Sequence, residues 1–337
     1  MDWRTWDKQT RIVVSIAGLG GVYYVAHLEQ IPETGRIRFM DMSPKTEAQL
    51  AIESRKELLR EFGGKILPHN HPLTRHIRRV VVNILDANDL GILMGEPEMP
   101  SQSYIPPAAF GGGQSDDIWN PDAAPSTTGG LNPENVKNTR EWNLIVVNDD
   151  SVKNAMATYG NIIVFTGILP ICKDEQGLSA VLGHEMGHVV LRHASERASS
   201  VKVLLIVASL LEILGLDFGI SRLATTFLLE LPNSRTQELE ADRVGLRMMA
   251  RACYDPRASP DMFERLGKLE NSKGRLNMDF LYTHPTSMTR IKRLGEALPE
   301  AFEIRASSPA CSNTERQFDA FSKSFDNFSD RLGIFFR

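Results

Sequence analysis

The feature that most restricts this chain is a pair of histidines, His184 and His188, inside an otherwise apolar run, GLSAVLGHEMGHVVLRH at 177–193. Residues four apart leave the same face of a helix, so both imidazoles can reach one metal ion. Glu185 stands beside the first histidine, where its carboxylate can hold a water that the metal polarises. Leu178, Val181 and Leu182 supply an apolar side, and Gly187 leaves room for a neighbouring backbone or a substrate. A catalytic zinc takes three protein ligands and keeps a position for water, so a third ligand must come from another element. The acidic stretch Glu238-Leu239-Glu240-Ala241-Asp242 offers it. There Glu238 and Asp242 lie one helical turn apart and share a face, while Glu240 points elsewhere. Glu238 is therefore expected as the third ligand, and Asp242 as the carboxylate that orients a ligating imidazole, His184. Two imidazoles and a carboxylate suit one catalytic Zn2+.

This donor set implies metal-assisted hydrolysis with Glu185 as the base that takes the proton of the water and returns it to a leaving amine. A tetrahedral intermediate needs a further donor, and the segment 282–291 carries Tyr282, His284 and Arg290. His284 has three readings: a catalytic donor to the intermediate, a fourth ligand in a resting state, or a bond that fixes its own loop. Arg290 reads as an internal ion-pair partner for an acid near the site. Extended substrate is expected along Gly160, Asn161, Ile162, Ile163 and Val164, in a strand that precedes the motif helix and is read as a sheet edge. His193, Glu196 and Arg197 read as polar packing at the helix end.

Periodicity and caps place helices at 45–62, behind Ser43 and Pro44, and at 74–90, with Ile77, Val80, Val81, Ile84 and Leu85 on one side. Further helices are expected at 175–196, capped by Asp174, and at 233–254, 260–270 and 288–298. Two strands, 142–147 and 160–165, make a small sheet joined by the segment 148–159. The class is α+β and mostly helical. Between 95 and 140 the chain is dominated by Pro, Gly, Ser, Asp and Asn and reads as a flexible insertion. Three cysteines are too few and too scattered for a disulfide framework, and Cys172 and Cys253, near the ends of expected helices, read as inert thiols. The net charge of -4 gives no general drive toward nucleic acid, and no such partner is expected.

The run IVVSIAGLGGVYYVA at 12–26 is uncharged and ends in a tyrosine pair, so it reads as a membrane anchor at about 12–27. A buried helix and a signal sequence are the competing readings. A second apolar stretch, 201–220, reads as a hairpin lying against or partly in a membrane, as a core helix pair, or as a span. The organisation expected is 1–40 with the anchor, a peptidase domain at 41–305, and a tail at 306–337. In that tail Phe318, Phe321, Phe325 and Phe328 suit a docked helix.

Five segments resemble the membrane-associated HExxH peptidases of the M48 type: HLEQIPETGRIRF at 27–39, NAMATYGNIIVFTGIL at 154–169, GHEMGHVVLRHASER at 183–197, SRTQELEADRVG at 234–245 and THPTSMTRI at 283–291. The resemblance implies a gluzincin-type zinc metallopeptidase domain with ligands His184, His188 and Glu238, catalytic Glu185 and companion Asp242. It also implies similarity to enzymes anchored in the mitochondrial inner membrane with the catalytic part toward the intermembrane space. Their work is the cleavage of misfolded membrane proteins and dynamin-like fusion proteins. The partners implied are protein substrates in or near a lipid bilayer and further copies in a homo-oligomer. The opening MDWRTWDKQTR departs from an Arg-rich, acid-poor targeting segment, since it carries two acids. Another M48-type membrane peptidase, or a latent scaffold or chaperone keeping the fold, is the alternative. Retention of Glu185 with all three ligands speaks for an enzyme.

Overall fold

The computed structural model describes residues 8–95, 140–213, 234–273, 280, 284, 287–308 and 311. The expected insertion between 96 and 139, the second part of the 201–220 stretch, Tyr282 and the tail from 312 lie outside these described residues.

Helices begin where the sequence supplies caps. Ser43 accepts from the Thr46 amide and Pro44 opens α2 (Pro44–Phe62). Helix α3 (Pro72–Ala87) starts behind His71 and buries Ile77, Val80, Val81, Ile84 and Leu85, the side its period predicts. After a short α4 (Leu169–Cys172), Asp174 caps α5 (Glu175–Val190) by accepting from the Gly177 amide. A capping box of Ser234 and Gln237 starts α7 (Arg235–Arg251). Helices α8 (Ala258–Lys273) and α9 (Met288–Ser307) complete the body.

The main sheet has the order β3 (Ile92–Leu93), β4 (Glu141–Val147), β6 (Asn161–Phe165) and β5 (Ala155–Thr158). Strands β4 and β6 run parallel, and β5 folds back antiparallel on β6. The two residues between β5 and β6, Tyr159 and Gly160, both have positive φ, 49° and 94°, as a tight type I′ hairpin requires. Alternation gives the sheet two buried faces. Leu144, Val146, Ile162 and Val164 join the main core with α3 and α5, while Ile145, Val147, Ile163 and Phe165 lie under Leu58 and Phe62 of α2. The AMAT strand and the short β3 escape a pattern reading because neither has a run of β-branched residues.

Three expectations about the helical body need correction. The single helix expected over 175–196 is two, since Arg192 takes a left-handed φ of 58° and α6 (His193–Ile213) starts in a new direction. Arg192 is held there by Glu47, 2.7 Å from its Nε, and by the Met42 carbonyl, 2.7 Å from its Nη2. Helix α9 runs past Pro299 to Ser307, its far half held by buried Ala301 and by Arg305 donating to the Cys253 carbonyl. Cys253 is not an inert thiol but is disulfide-bonded to Cys311, which ties the chain beyond α9 to the end of α7.

The boundary expected at residue 40 does not divide the structure. Strands β1 (Leu28–Gln30) and β2 (Ile37–Phe39) form an antiparallel hairpin, and Arg38 of that hairpin donates to the Leu191 carbonyl between α5 and α6. Helix α1 (Lys8–Ala26) precedes the hairpin and leaves Leu19, Val22 and Val25 exposed. No helix among the described residues is long and apolar enough to cross a membrane, so the spanning anchor expected at 12–27 is not met by α1.

Candidate metal centre

The site exists because α5 and α7 touch backbone to backbone. A Cβ on Gly245 would come within 2.7 Å of the Gly183 carbonyl, and one on Gly187 within 2.9 Å of the Ala241 oxygen. That approach sets the histidine face of α5 against the acidic face of α7. His184, Glu185, His188, Glu238, Asp242, His284 and Arg290 are all buried there.

Nε2 of His184 lies 3.2 Å from Nε2 of His188 and 3.4 Å from Oε2 of Glu238. His188 Nε2 is 3.4 Å from Oε1 of Glu238. A fourth possible donor, Nδ1 of His284, lies 3.3 Å from His184 Nε2 and 3.0 Å from Glu238 Oε1. One donor atom from each of the four residues lies within 4.8 Å of the others, close enough to converge on a single ion. The other ring nitrogens are engaged: His184 Nδ1 is 2.9 Å from Asp242 Oδ1, and His188 Nδ1 is 2.8 Å from His193 Nδ1. With protons on Nδ1, both Nε2 lone pairs face one point, an arrangement that needs a cation. The donor set fits a metal ion.

Arg290 secures the acidic side. Its Nε and Nη2 donate to Asp242 at 2.8 and 2.7 Å, and Nη1 lies 2.8 Å from Glu238 Oε2. Its guanidinium also sits over the Phe263 ring, 4.4 Å from the centroid. Arg290 is thus paired with two buried acids of the site.

Electrostatics separates the two histidines. Burial lowers the pKa of His184, but hydrogen bonding to Asp242 and Glu238 outweighs it and pushes the value up to about 9. Burial dominates at His188 and holds it well below the ordinary imidazole range. A metal ion and a proton compete for the same His184 nitrogen, so metal affinity is expected to rise with pH. Burial lifts the Glu185 carboxyl, opposed by His284 and His184. A raised carboxyl is the direction a general base and acid needs. Its Oε2 accepts from the Ala157 amide at 3.2 Å, and Oε1 is 3.2 Å from His284 Nε2.

Gly160, Asn161, Ile162, Ile163 and Val164 do not form the expected free edge. Strand β6 is paired on both sides, and a sheet interior offers no unpaired backbone to a peptide. The edge beside Glu185 is β5, whose Ala157 amide points at that carboxylate.

Sequence reasoning missed three contributors: His193, Glu240 and Arg36. A histidine five residues beyond His188 in an unbroken helix faces away from it. Only the turn at Arg192 brings His193 back, and no local signal marks that turn.

Comparisons with known proteins give the chain its relatives. The model of Peptidase family M48 matches residues 131–298. The chain is 34% identical over 313 residues to the mitochondrial metalloendopeptidase OMA1 of Schizosaccharomyces pombe, covering 91% of this chain and 77% of that protein. It is 30% identical over 322 residues to the Saccharomyces cerevisiae protein of the same name, covering 94% and 82%. To the human mitochondrial metalloendopeptidase OMA1 it is 25% identical over 315 residues, covering 87% and 51%.

Proposed function

The chain belongs to peptidase family M48, and on that premise we propose that it is a zinc-dependent endopeptidase of the mitochondrial inner membrane. The observation that carries the reading is the buried Glu185 carboxylate beside the converging donors of His184, His188 and Glu238.

Zinc held by those three residues would supply a Lewis acid and an acidified water. Glu185 takes a proton from the water and passes it to the leaving amine, since its raised pKa suits both transfers. Asp242, clamped by Arg290, fixes the ring of His184. An extended substrate adds to the outer edge of β5, replacing Glu185 as the partner of the Ala157 amide. Of its three readings, the position of His284 favours the fourth donor. A catalytic site keeps one corner open, so His284 must withdraw before hydrolysis. His284→Ala is then expected to speed cleavage, and slower cleavage would return His284 to the role of donor to the intermediate.

The substrates proposed are misfolded membrane proteins and dynamin-like fusion proteins, met on the intermembrane-space side. Support comes from the mitochondrial relatives, from the exposed apolar surface of α1, and from the Cys253–Cys311 disulfide, which suits a compartment where disulfides persist. Purified chain and Glu185→Gln, each with its metal quantified, should be offered an unfolded membrane protein. Cleavage by the first alone, with metal in both, is expected. A folded chain without metal would overturn the site.

A further inference from the structure

The contacts on the far side of His188 lead away from the reacting centre and end on the N-terminal hairpin. His193 presents Nδ1 to His188 and Nε2 to Glu240, the latter 3.2 Å from Oε2. The Glu240 carboxylate accepts from Arg36 Nε at 2.8 Å, from Arg36 Nη2 at 2.9 Å and from the Thr34 hydroxyl at 2.9 Å. Arg36 also donates to both oxygens of Glu196, at 2.6 and 2.8 Å. One guanidinium in the hairpin turn thus joins α6 to α7, directly behind a ligand.

Proton placement gives these contacts a direction. If His188 is to offer its Nε2 lone pair to a metal, its proton must sit on Nδ1 and be donated to Nδ1 of His193. His193 then carries its own proton on Nε2 and donates it to Glu240. The opposite assignment puts a proton on His188 Nε2, where it blocks coordination. An imidazole fixed by a carboxylate behind it therefore selects the tautomer in which His188 can bind. The hairpin is itself tied to α1: Tyr24 stacks on Phe39, with ring centroids 4.8 Å apart and planes 6° from parallel.

We propose that His193 is a positioning residue for His188, and that Arg36, by holding Glu240 and Glu196, makes seating of the N-terminal hairpin a determinant of metal affinity. The inference rests on the metallopeptidase reading above. An ion pair of merely structural purpose would lower melting temperature and leave metal affinity alone.

The test uses the full chain as wild type, His193→Ala, His193→Asn, Arg36→Gln and Arg36→Lys. Zinc dissociation constants come from chelator competition, with the visible spectrum of the cobalt-loaded form and the metal-free melting temperature as companions. His193→Ala should weaken zinc binding about 10–100-fold and alter the cobalt spectrum. Arg36→Gln should weaken it less, by about 10-fold or under. His193→Asn keeps an oxygen that accepts from His188 and should recover part of the loss, as should Arg36→Lys, which keeps the charge without the fork. If His193→Ala does not fold, the asparagine and Arg36 variants decide. Wild-type zinc affinity in folded Arg36→Gln and His193 variants, with or without a lower melting temperature, overturns the proposal. A wild type that binds zinc without cleaving overturns the enzymatic reading alone, and one that binds no zinc overturns both.

Discussion

His184 and His188 are four residues apart on one helix, yet they are supported from opposite sides by different means. Behind His184 stands Asp242, gripped by two nitrogens of Arg290, all deep in the body between α7 and α9. Behind His188 stands a neutral ring, His193, then Glu240, then Arg36, whose side chain is 26% exposed on a surface hairpin. The first support is enclosed by the body, whereas the second ends on a part-exposed guanidinium, although Ile31 of the same hairpin is itself buried in the main core. Solvent screens the Arg36 pairs more than the Arg290 pairs, so the same substitution type should act differently on the two sides.

The largest effect expected touches neither support. Glu185→Gln should lower cleavage about 10²–10⁴-fold while metal content stays at the wild-type level, as read by turnover and metal analysis. Loss of metal there would mean that the two supports are not sufficient to hold the ion. Next comes Arg290→Met, which leaves Asp242 and Glu238 buried without their cation and should cost about 3–5 kcal/mol in urea unfolding. Gly245→Ala drives a methyl into the α5 contact and should cost about 1–3 kcal/mol, disturbing both histidines together. Arg36→Gln should cost only about 1–2 kcal/mol, because its ion pairs are part-exposed. Equal losses for Arg290→Met and Arg36→Gln would break the comparison.

The smallest effect is a pH dependence. Burial raises the Glu196 carboxyl, but hydrogen bonds from Arg36 prevail and hold it below its ordinary 4.5. A depressed carboxyl stabilises the fold above its unfolded value, and that stabilisation disappears as pH falls through the folded one. The stability gap between wild type and Arg36→Gln should therefore shrink as pH drops below about 4.5. A gap that stays constant into acid would assign the Arg36 contribution to packing.

The centre was legible in part. HEMGH at 184–188 and ELEAD at 238–242 put their donors on helix faces through the 3.6-residue period alone, and the caps at Ser43 and Asp174 mark true helix starts. The edge of the sheet was misread because AMAT carries no strand signal, while the apolar NIIVF that looks like the better strand is buried in the sheet interior. Pro299 argues for a helix end that packing overrules.

Sequence by itself determined which residues can bind and activate, because ligand type, helical period and capping are short-range properties of consecutive residues. Tertiary structure alone decided how those residues are held: the turn at Arg192, the Cys253–Cys311 bond, and the reach of Arg36 to Glu196 across 160 positions and to Glu240 across 204. Such pairings depend on which surfaces meet after the chain has packed. No local pattern encodes that meeting.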